Sequence, residues 1–312
     1  DEMKSWLEQP ANPSSSSTFG VQARKMIENG RRFIANHCHA QNYTVIFTSG
    51  ASESNCFIIR ATAEAYKRQK NIKPHILTGL NEHKSIIKCC ESLKSSGLAE
   101  VTYLTPGASG CIPIGLITAG IRDNTCLISI MAANNELGCI NNLKAIGDIA
   151  HARAIPFHSD FVQIFGKYRI NLPEHNIDAI SASFHKLYGP KGSGILVINN
   201  DLITGYDLTG QISGTQEFGL RGGTENVAAI AGSIAALKCA FTNRAAKNAK
   251  LFTQREYLLT KLGSKFSVRT YREYLMEAAA QPRSTAKSKK SEAYLVILGP
   301  DGGPTGKPLR VA

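Results

Sequence analysis

From Val21 to about Ala35, apolar residues recur at helical spacing behind a turn-rich run, Asn12 to Gly20, that reads NPSSSSTFG. Tyr43 to Phe47 is a short apolar run of strand length, and it leads through TSGASESN into a second helical pattern with Phe57, Ile58, Ala61 and Ala65 on one side. The alternation then continues. Strands are expected at His75 to Thr78, Val101 to Leu104, Cys126 to Met131 and Pro156 to His158, with helices at Ser85 to Ser95, Pro113 to Ile121 and Leu143 to Arg153. Two further strands, Ala179 to Phe184 and Gly194 to Ile198, enclose a Gly/Pro-rich loop. A loop from Gly205 to Gly214 and a long helical pattern from Val227 to about Phe266, interrupted near Asn243, follow. Strands alternating with helices over short connections predict an α/β fold, a mostly parallel sheet flanked by helices. The clean alternation ends there, so residues 1–245 are expected to form a large domain and 246–312 part of a smaller C-terminal α+β domain, with a linker or loop over Ala280 to Ser291.

Charge adds little to this picture. The 312 residues carry 36 basic and 24 acidic side chains, a formal +12 that favours anionic ligands, but Arg283, Lys287, Lys289 and Lys290 fall in a Ser/Thr-containing run expected to be a solvated loop. No nucleic-acid module is recognisable, so no specific nucleic-acid partner is expected. The eight cysteines are scattered without a CxxC pair, which points to the cytoplasm or another reducing compartment. No apolar run has transmembrane length and DEMKSWLEQP has no signal-peptide core, so no membrane association is expected. His37-Cys38-His39 lacks a second pair at ligand spacing, and no metal is expected.

In parallel sheets ligands gather at the carboxyl ends of the strands, and several chemically capable residues fall there. The strand–turn–helix junction around Ser52 suits an anion, because free amides and the helix dipole converge on it; Ser52 as a plain helix cap is the alternative. His83 can stack on a flat heteroaromatic ring or serve as an ordinary hydrogen-bonder. Asp160 is placed to hold a proton on a ring nitrogen, or to cap a helix, while Asn135 and Gln163 stand at neighbouring strand ends. Lys186, at the end of its strand in partly apolar surroundings, would lose solvation and offer a free amine to a carbonyl. Gly222-Gly223-Thr224, before a helix, is a second candidate phosphate contact. GPKGSG at Gly189 to Gly194 precedes a strand and so lacks the context of a dinucleotide site. An amine, a carboxylate, a stacking imidazole and an anion cradle together meet the needs of pyridoxal 5'-phosphate.

NPSSSSTFG, FTSGASESN, NEHKSI, MAANNELGCI, HSDFVQIFGK, SASFHKLYGPKGSG and QEFGLRGGTEN, in this order from Asn12 to Leu237, make the chain resemble the cysteine desulfurases of the class V aminotransferase group. The resemblance implies the type I fold of pyridoxal-phosphate-dependent transferases, with Lys186 bonded to the cofactor, His83 stacked on it and Asp160 at its ring nitrogen. It further implies Gln163 at the ring hydroxyl, Ala51, Ser52, Ser183 and His185 around the phosphate, and Asn135 near the substrate amino acid. Thr224 would reach the phosphate of the other subunit of a homodimer, and Arg310, in PLRVA, would grip the substrate carboxylate. The implied reaction removes sulfur from L-cysteine, leaves alanine and passes a persulfide to a sulfur-acceptor scaffold protein for iron–sulfur assembly. Ser52 stands where the group usually has Thr, and the last cysteine is Cys239, whereas the group's nucleophilic cysteine lies on a loop far downstream of the lysine. Two alternatives therefore stand beside the desulfurase: a selenocysteine lyase-type enzyme, and a cofactor-binding homologue serving as scaffold or regulator.

Overall fold

A computed structural model describes residues 2–9, 11–263, 293–295 and 309–311. In chain order the elements are α1 (Glu2–Leu7), α2 (Thr18–His37), β1 (Tyr43–Thr48), α3 (Ala51–Lys70), β2 (His75–Gly79), α4 (Lys84–Ser95), β3 (Glu100–Leu104), α5 (Ile114–Gly120), β4 (Thr125–Ser129), α6 (Leu143–His151), β5 (Phe157–Asp160) and β6 (Ala179–Ser183). A 3₁₀ turn (Phe184–Leu187) follows, then β7 (Gly194–Asn199), α7 (Asn200–Tyr206), α8 (Val227–Thr242), α9 (Arg244–Gly263), β8 (Ala293–Leu295) and β9 (Leu309–Val311). Seven strands form one sheet in the order β1-β7-β6-β5-β4-β2-β3, and β8 and β9 pair separately. Within the seven-stranded sheet only β7 runs against its neighbours, and β8 and β9 are antiparallel to each other. The expected mostly parallel sheet flanked by helices is therefore what the chain builds.

Strands β2, β4, β5 and β6 are buried along their whole length, so none shows the inside–outside alternation of a half-exposed strand; β5, Phe157-His158-Ser159-Asp160, is buried although mostly polar. Helix α2 begins ahead of the expected Val21 because the Ser17 hydroxyl accepts from the Gly20 amide at 3.2 Å and caps it. The strand expected to reach Phe184 stops at Ser183, where the backbone tightens into the 3₁₀ turn. Helices α1 and α7 were not legible in the sequence. Both are short, and α1 depends on packing against α8, where Gly232 leaves room for Met3. Among the described residues no helix is long and apolar enough to cross a membrane.

The topology sets up the site. The chain leaves β1 at one edge and re-enters the sheet at β2 near the other, so α3 crosses the strands between, packing on β4, β6 and β7. Its N-terminus is pinned where β7 begins: a Cβ on Gly194 would sit 2.5 Å from the Gly50 Cα, an approach only glycine permits.

Two polar clusters are buried in this frame. Across β4, β5 and β6, His158 is held between Ser129 Oγ, 2.9 Å from its Nδ1, and Ser181 Oγ, 2.9 Å from its Nε2, and all three residues are fully buried. The second cluster anchors the loop before α8. Arg31 of α2 donates to both carboxylate oxygens of Glu217, at 2.6 and 2.7 Å, and to the Val45 carbonyl, while the Phe47 amide donates to Glu217 Oε2 at 2.9 Å. Glu217, Phe218 and Gly219 have φ of 48°, 61° and 77°. The left-handed backbone costs the two non-glycine residues about 1–2 kcal/mol each, and the Arg31 fork offsets it.

Two outcomes are expected. Glu217→Ala removes the buried carboxylate partner of Arg31, leaving the guanidinium only the half-exposed Glu28 and the Val45 carbonyl, and should cost up to roughly 3–5 kcal/mol in urea unfolding. Burial lowers the His158 imidazole from its ordinary 6.5 to about 3. Between those values the unfolded chain binds a proton that the folded chain does not, so stability should fall as pH drops below about 6.5, and His158→Gln should flatten that fall by about one proton.

Candidate active site

A cavity of about 370 Å³ opens at the carboxyl ends of β1, β2, β4, β5 and β6. Nine of the residues singled out in the sequence line it: Ala51, Ser52, His83, Asn135, Asp160, Gln163, Ser183, His185 and Lys186. Thr224 does not. It is exposed on the loop before α8, outside the cavity of its own chain. Of Arg310 only the backbone pairing opposite Tyr294 is described.

The floor of the cavity is Asp160, the last residue of β5 and only 4% exposed. Its Oδ1 accepts the Val162 amide at 2.9 Å across a turn; no helix begins between β5 and β6, so Asp160 is not the helix cap that the sequence also allowed. Its Oδ2 accepts from Asn55 Nδ2 at 2.8 Å. Burial pushes the carboxyl above its ordinary value of 3.8, and the Val162 amide, Asn55 and His83 pull it back. Glu82 is a second buried carboxyl. Its Oε1 accepts the Met131 amide at 2.7 Å, its Oε2 is buried without a partner, and burial raises its pKa well above 4.5 even against that amide, with Asp160 adding to the rise. Burial thus favours the protonated form of both carboxyls, and more strongly that of Glu82.

On one wall, His83 caps α4 by accepting the Ser85 amide on Nδ1 at 3.2 Å, with the Ser85 hydroxyl 2.8 Å from the same nitrogen. On the other, the N-terminus of α3 with Ser52 opens onto the cavity beside Ser183 and His185. Ser183 Oγ lies 2.6 Å from His185 Nδ1, and the His185 pKa is lowered by its partial burial and then by Lys186 and Lys191. Lys186 departs from expectation. It sits on the 3₁₀ turn beyond β6 and is exposed, so the partly apolar surroundings foreseen from the sequence are not provided by this chain.

The donor set fits pyridoxal phosphate. A helix N-terminus with two hydroxyls and an imidazole suits a phosphate, a buried carboxylate with acceptor capacity to spare suits a pyridine nitrogen, and an accessible amine suits an aldehyde. Reading single residues in the sequence missed Asn55, Glu82 and Ser85. Asn55 lies one turn beyond Ala51 within FTSGASESN, and Glu82 and Ser85 flank His83 within NEHKSI, so position inside those motifs was the available signal. His37, by contrast, stacks on Phe241 with centroids 4.2 Å apart, and among the described residues no group of three or more His, Cys, Asp or Glu could hold a metal ion.

A model of the aminotransferase class-V family matches residues 1–290. Cysteine desulfurase IscS of Rickettsia typhi (strain ATCC VR-144 / Wilmington) is 42% identical over 221 residues, 68% of this chain and 51% of that protein. Cysteine desulfurase IscS of Pseudomonas aeruginosa (strain LESB58) is 38% identical over 247 residues, 78% of this chain and 60% of that protein. The chain therefore spans only about half to three-fifths of the length of these curated relatives. Among solved structures, SspA in complex with cysteine superposes with a TM-score of 0.76 at 33% identity, covering 96% of this chain and 80% of that one. DndA from Streptomyces lividans gives 0.77 at 27% identity, covering 99% and 94%.

The raised Asp160 carboxyl carries a signed expectation. Between its ordinary value and the raised folded one, the unfolded chain has released a proton that the folded chain still holds, so burying this group costs more as pH rises through that window. Asp160→Asn should raise the urea midpoint of the cofactor-free chain, by more at about pH 7 than at about pH 4.

Proposed function

Because the chain belongs to the aminotransferase class-V family, we propose that it binds pyridoxal 5'-phosphate through Lys186 and acts on L-cysteine, removing its sulfur and leaving alanine. One observation carries this reading: amine, buried carboxylate, imidazole and helix N-terminus converge on a single cavity at the strand ends. Bound there, the cofactor supplies an electron sink for the pair released when a bond at the substrate's Cα breaks.

The chain's own groups divide the remaining work. The α3 amides with Ser52, Ser183 and His185 hold the phosphate, and Gln163 meets the ring hydroxyl. His83 covers the ring face. Asp160 keeps a proton on the ring nitrogen, and its burial strengthens that interaction. Lys186 would hold the cofactor through its amine and would move the proton at the substrate Cα. Asn135 stands at the substrate end, and Arg310 is proposed for the substrate carboxylate. The sulfur leaves Cβ for an acceptor thiol, which becomes a persulfide for an acceptor scaffold protein and iron–sulfur assembly in a reducing compartment.

Thr224 is proposed to reach the phosphate of a second subunit. Its exposure outside its own cavity, on a loop that Arg221 ties to Glu53 of α3 at 2.9 Å, supports that reading. A division at about residue 245, into a cofactor domain and a smaller C-terminal domain, belongs to the same proposal. A second reading, a lyase of the selenocysteine type that needs no enzyme thiol, is favoured by one observation: none of the chain's eight cysteines lines the cavity. Incubation with L-cysteine and L-selenocysteine, with alanine, sulfide and selenide measured, separates the two.

Purified protein should carry the visible absorbance of a lysine-linked cofactor, and Lys186→Ala should abolish it. Protein that stays colourless in excess cofactor would refute the assignment. Asp160→Asn should keep the cofactor yet lose turnover by about 10²-fold or more, the scale of losing one preorganised electrostatic contact. In sedimentation the loaded protein should run as a dimer, and a loaded monomer would exclude the role given to Thr224.

A further inference from the structure

The side chain that touches the most of this machinery is one with no assigned part in it. Asn55 is completely buried, one turn into α3. Its amide nitrogen has two hydrogens and both are used, one donated to Asp160 Oδ2 at 2.8 Å and the other to Ser85 Oγ at 3.0 Å. Having accepted there, the Ser85 hydroxyl has its own hydrogen free for His83 Nδ1, 2.8 Å away, which also receives the Ser85 amide.

On the reading that this cavity takes pyridoxal phosphate, we infer that Asn55 is a positioning residue whose single carboxamide sets both the carboxylate at the ring nitrogen and, through Ser85, the tautomer of the imidazole on the ring face. Three observations support it. A nitrogen receiving two donors carries no hydrogen, so neutral His83 holds its proton on Nε2 and presents a donor to the cavity, with no free lone pair to act as a base there. The amide is oriented by charge: turning it over would bring its oxygen against the Asp160 carboxylate. Finally, Asn55 Oδ1 is buried without a partner, so the residue is kept for what its nitrogen does. The charged and titratable groups described around the relay are Glu82 and His83 from the β2–α4 junction, Glu53 and Cys56 from α3, the Cys56 thiol lying 3.8 Å from the Ser85 carbonyl, and Lys186 from the turn after β6. None of them replaces the donation to Asp160 Oδ2, since the other protein donor to this carboxylate is the Val162 amide, on Oδ1.

The test is made on the full chain, with histidine nitrogen resonances and pyridoxal phosphate titrations on wild type, Asn55→Leu, Asn55→Asp and Ser85→Ala. Wild type should show His83 with its proton on Nε2. Asn55→Leu touches neither ring nitrogen, yet it should shift the Nδ1 resonance and weaken cofactor affinity by about tenfold. Asn55→Asp keeps the shape of the side chain but, sharing a proton with Asp160, offers at most one donor, so it cannot serve both Asp160 and Ser85; the Nδ1 resonance or the cofactor affinity should shift, and a variant unchanged in both would mean that packing alone matters and would overturn the inference. Ser85→Ala should move the Nδ1 resonance while costing less cofactor affinity than Asn55→Leu. It remains decisive if the Asn55 variants fail to fold, because an unmoved Nδ1 resonance there, or a wild-type proton on Nδ1, overturns the relay. The resonances need no cofactor. A wild-type protein that bound none would refute the functional proposal and leave the relay to be judged by the histidine alone.

Discussion

A carboxylate at the end of a central strand has to be kept ionised where almost no water reaches it. Leaving such a charge unpaired in a protein interior is costly, and the carboxyl would otherwise take up a proton. Around Asp160 the chain answers with a backbone amide on one oxygen and a side-chain amide on the other, while burial raises the neighbouring Glu82 carboxyl well above its ordinary value. Neither amide cancels the charge. They stabilise it while leaving room for one more partner, as the proposed pyridine nitrogen would require.

The sheet topology explains how such distant residues meet. Strand β1 lies at one edge and β2 near the other, so α3 must run across the sheet, and its first turn ends beside the turn that carries Lys186. The same helix therefore delivers an anion-binding end and, one turn later, the buried Asn55. Strands β2, β4, β5 and β6 point their carboxyl ends the same way, which places His83, Asn135, Asp160 and the Lys186 turn around one opening.

Much of this was legible before any coordinates. Short runs rich in apolar residues between helical patterns locate β1 to β7 in the sequence, with ends displaced by up to two residues as at β4 and β5, and strand-end chemistry follows from them. The failures have physical causes. Helix α1 is six residues long and exists by packing on α8, a tertiary effect that no local pattern encodes. Lys186 was expected to be desolvated from its neighbours in sequence, but solvation is decided by what covers the 3₁₀ turn in space. Asn55 and Glu82 were passed over because nothing about a lone Asn or Glu announces burial; their roles appear only when α3 and the β2–α4 junction are brought against β5.

The serine–histidine–serine row across β4, β5 and β6 has a consequence for how the sheet assembles. Apolar parallel strands are nearly interchangeable, since one isoleucine ladder packs much like another, and pairing two of them out of register costs little if every side chain is greasy. An imidazole in the middle of the sheet changes that. Displaced by one residue, His158 turns to the opposite face and finds neither hydroxyl; displaced by two, it loses the Ser129 and Ser181 oxygens that now flank it. The row thus works as a key cut for one alignment, spending a little hydrophobicity so that three otherwise similar strands recognise their proper places.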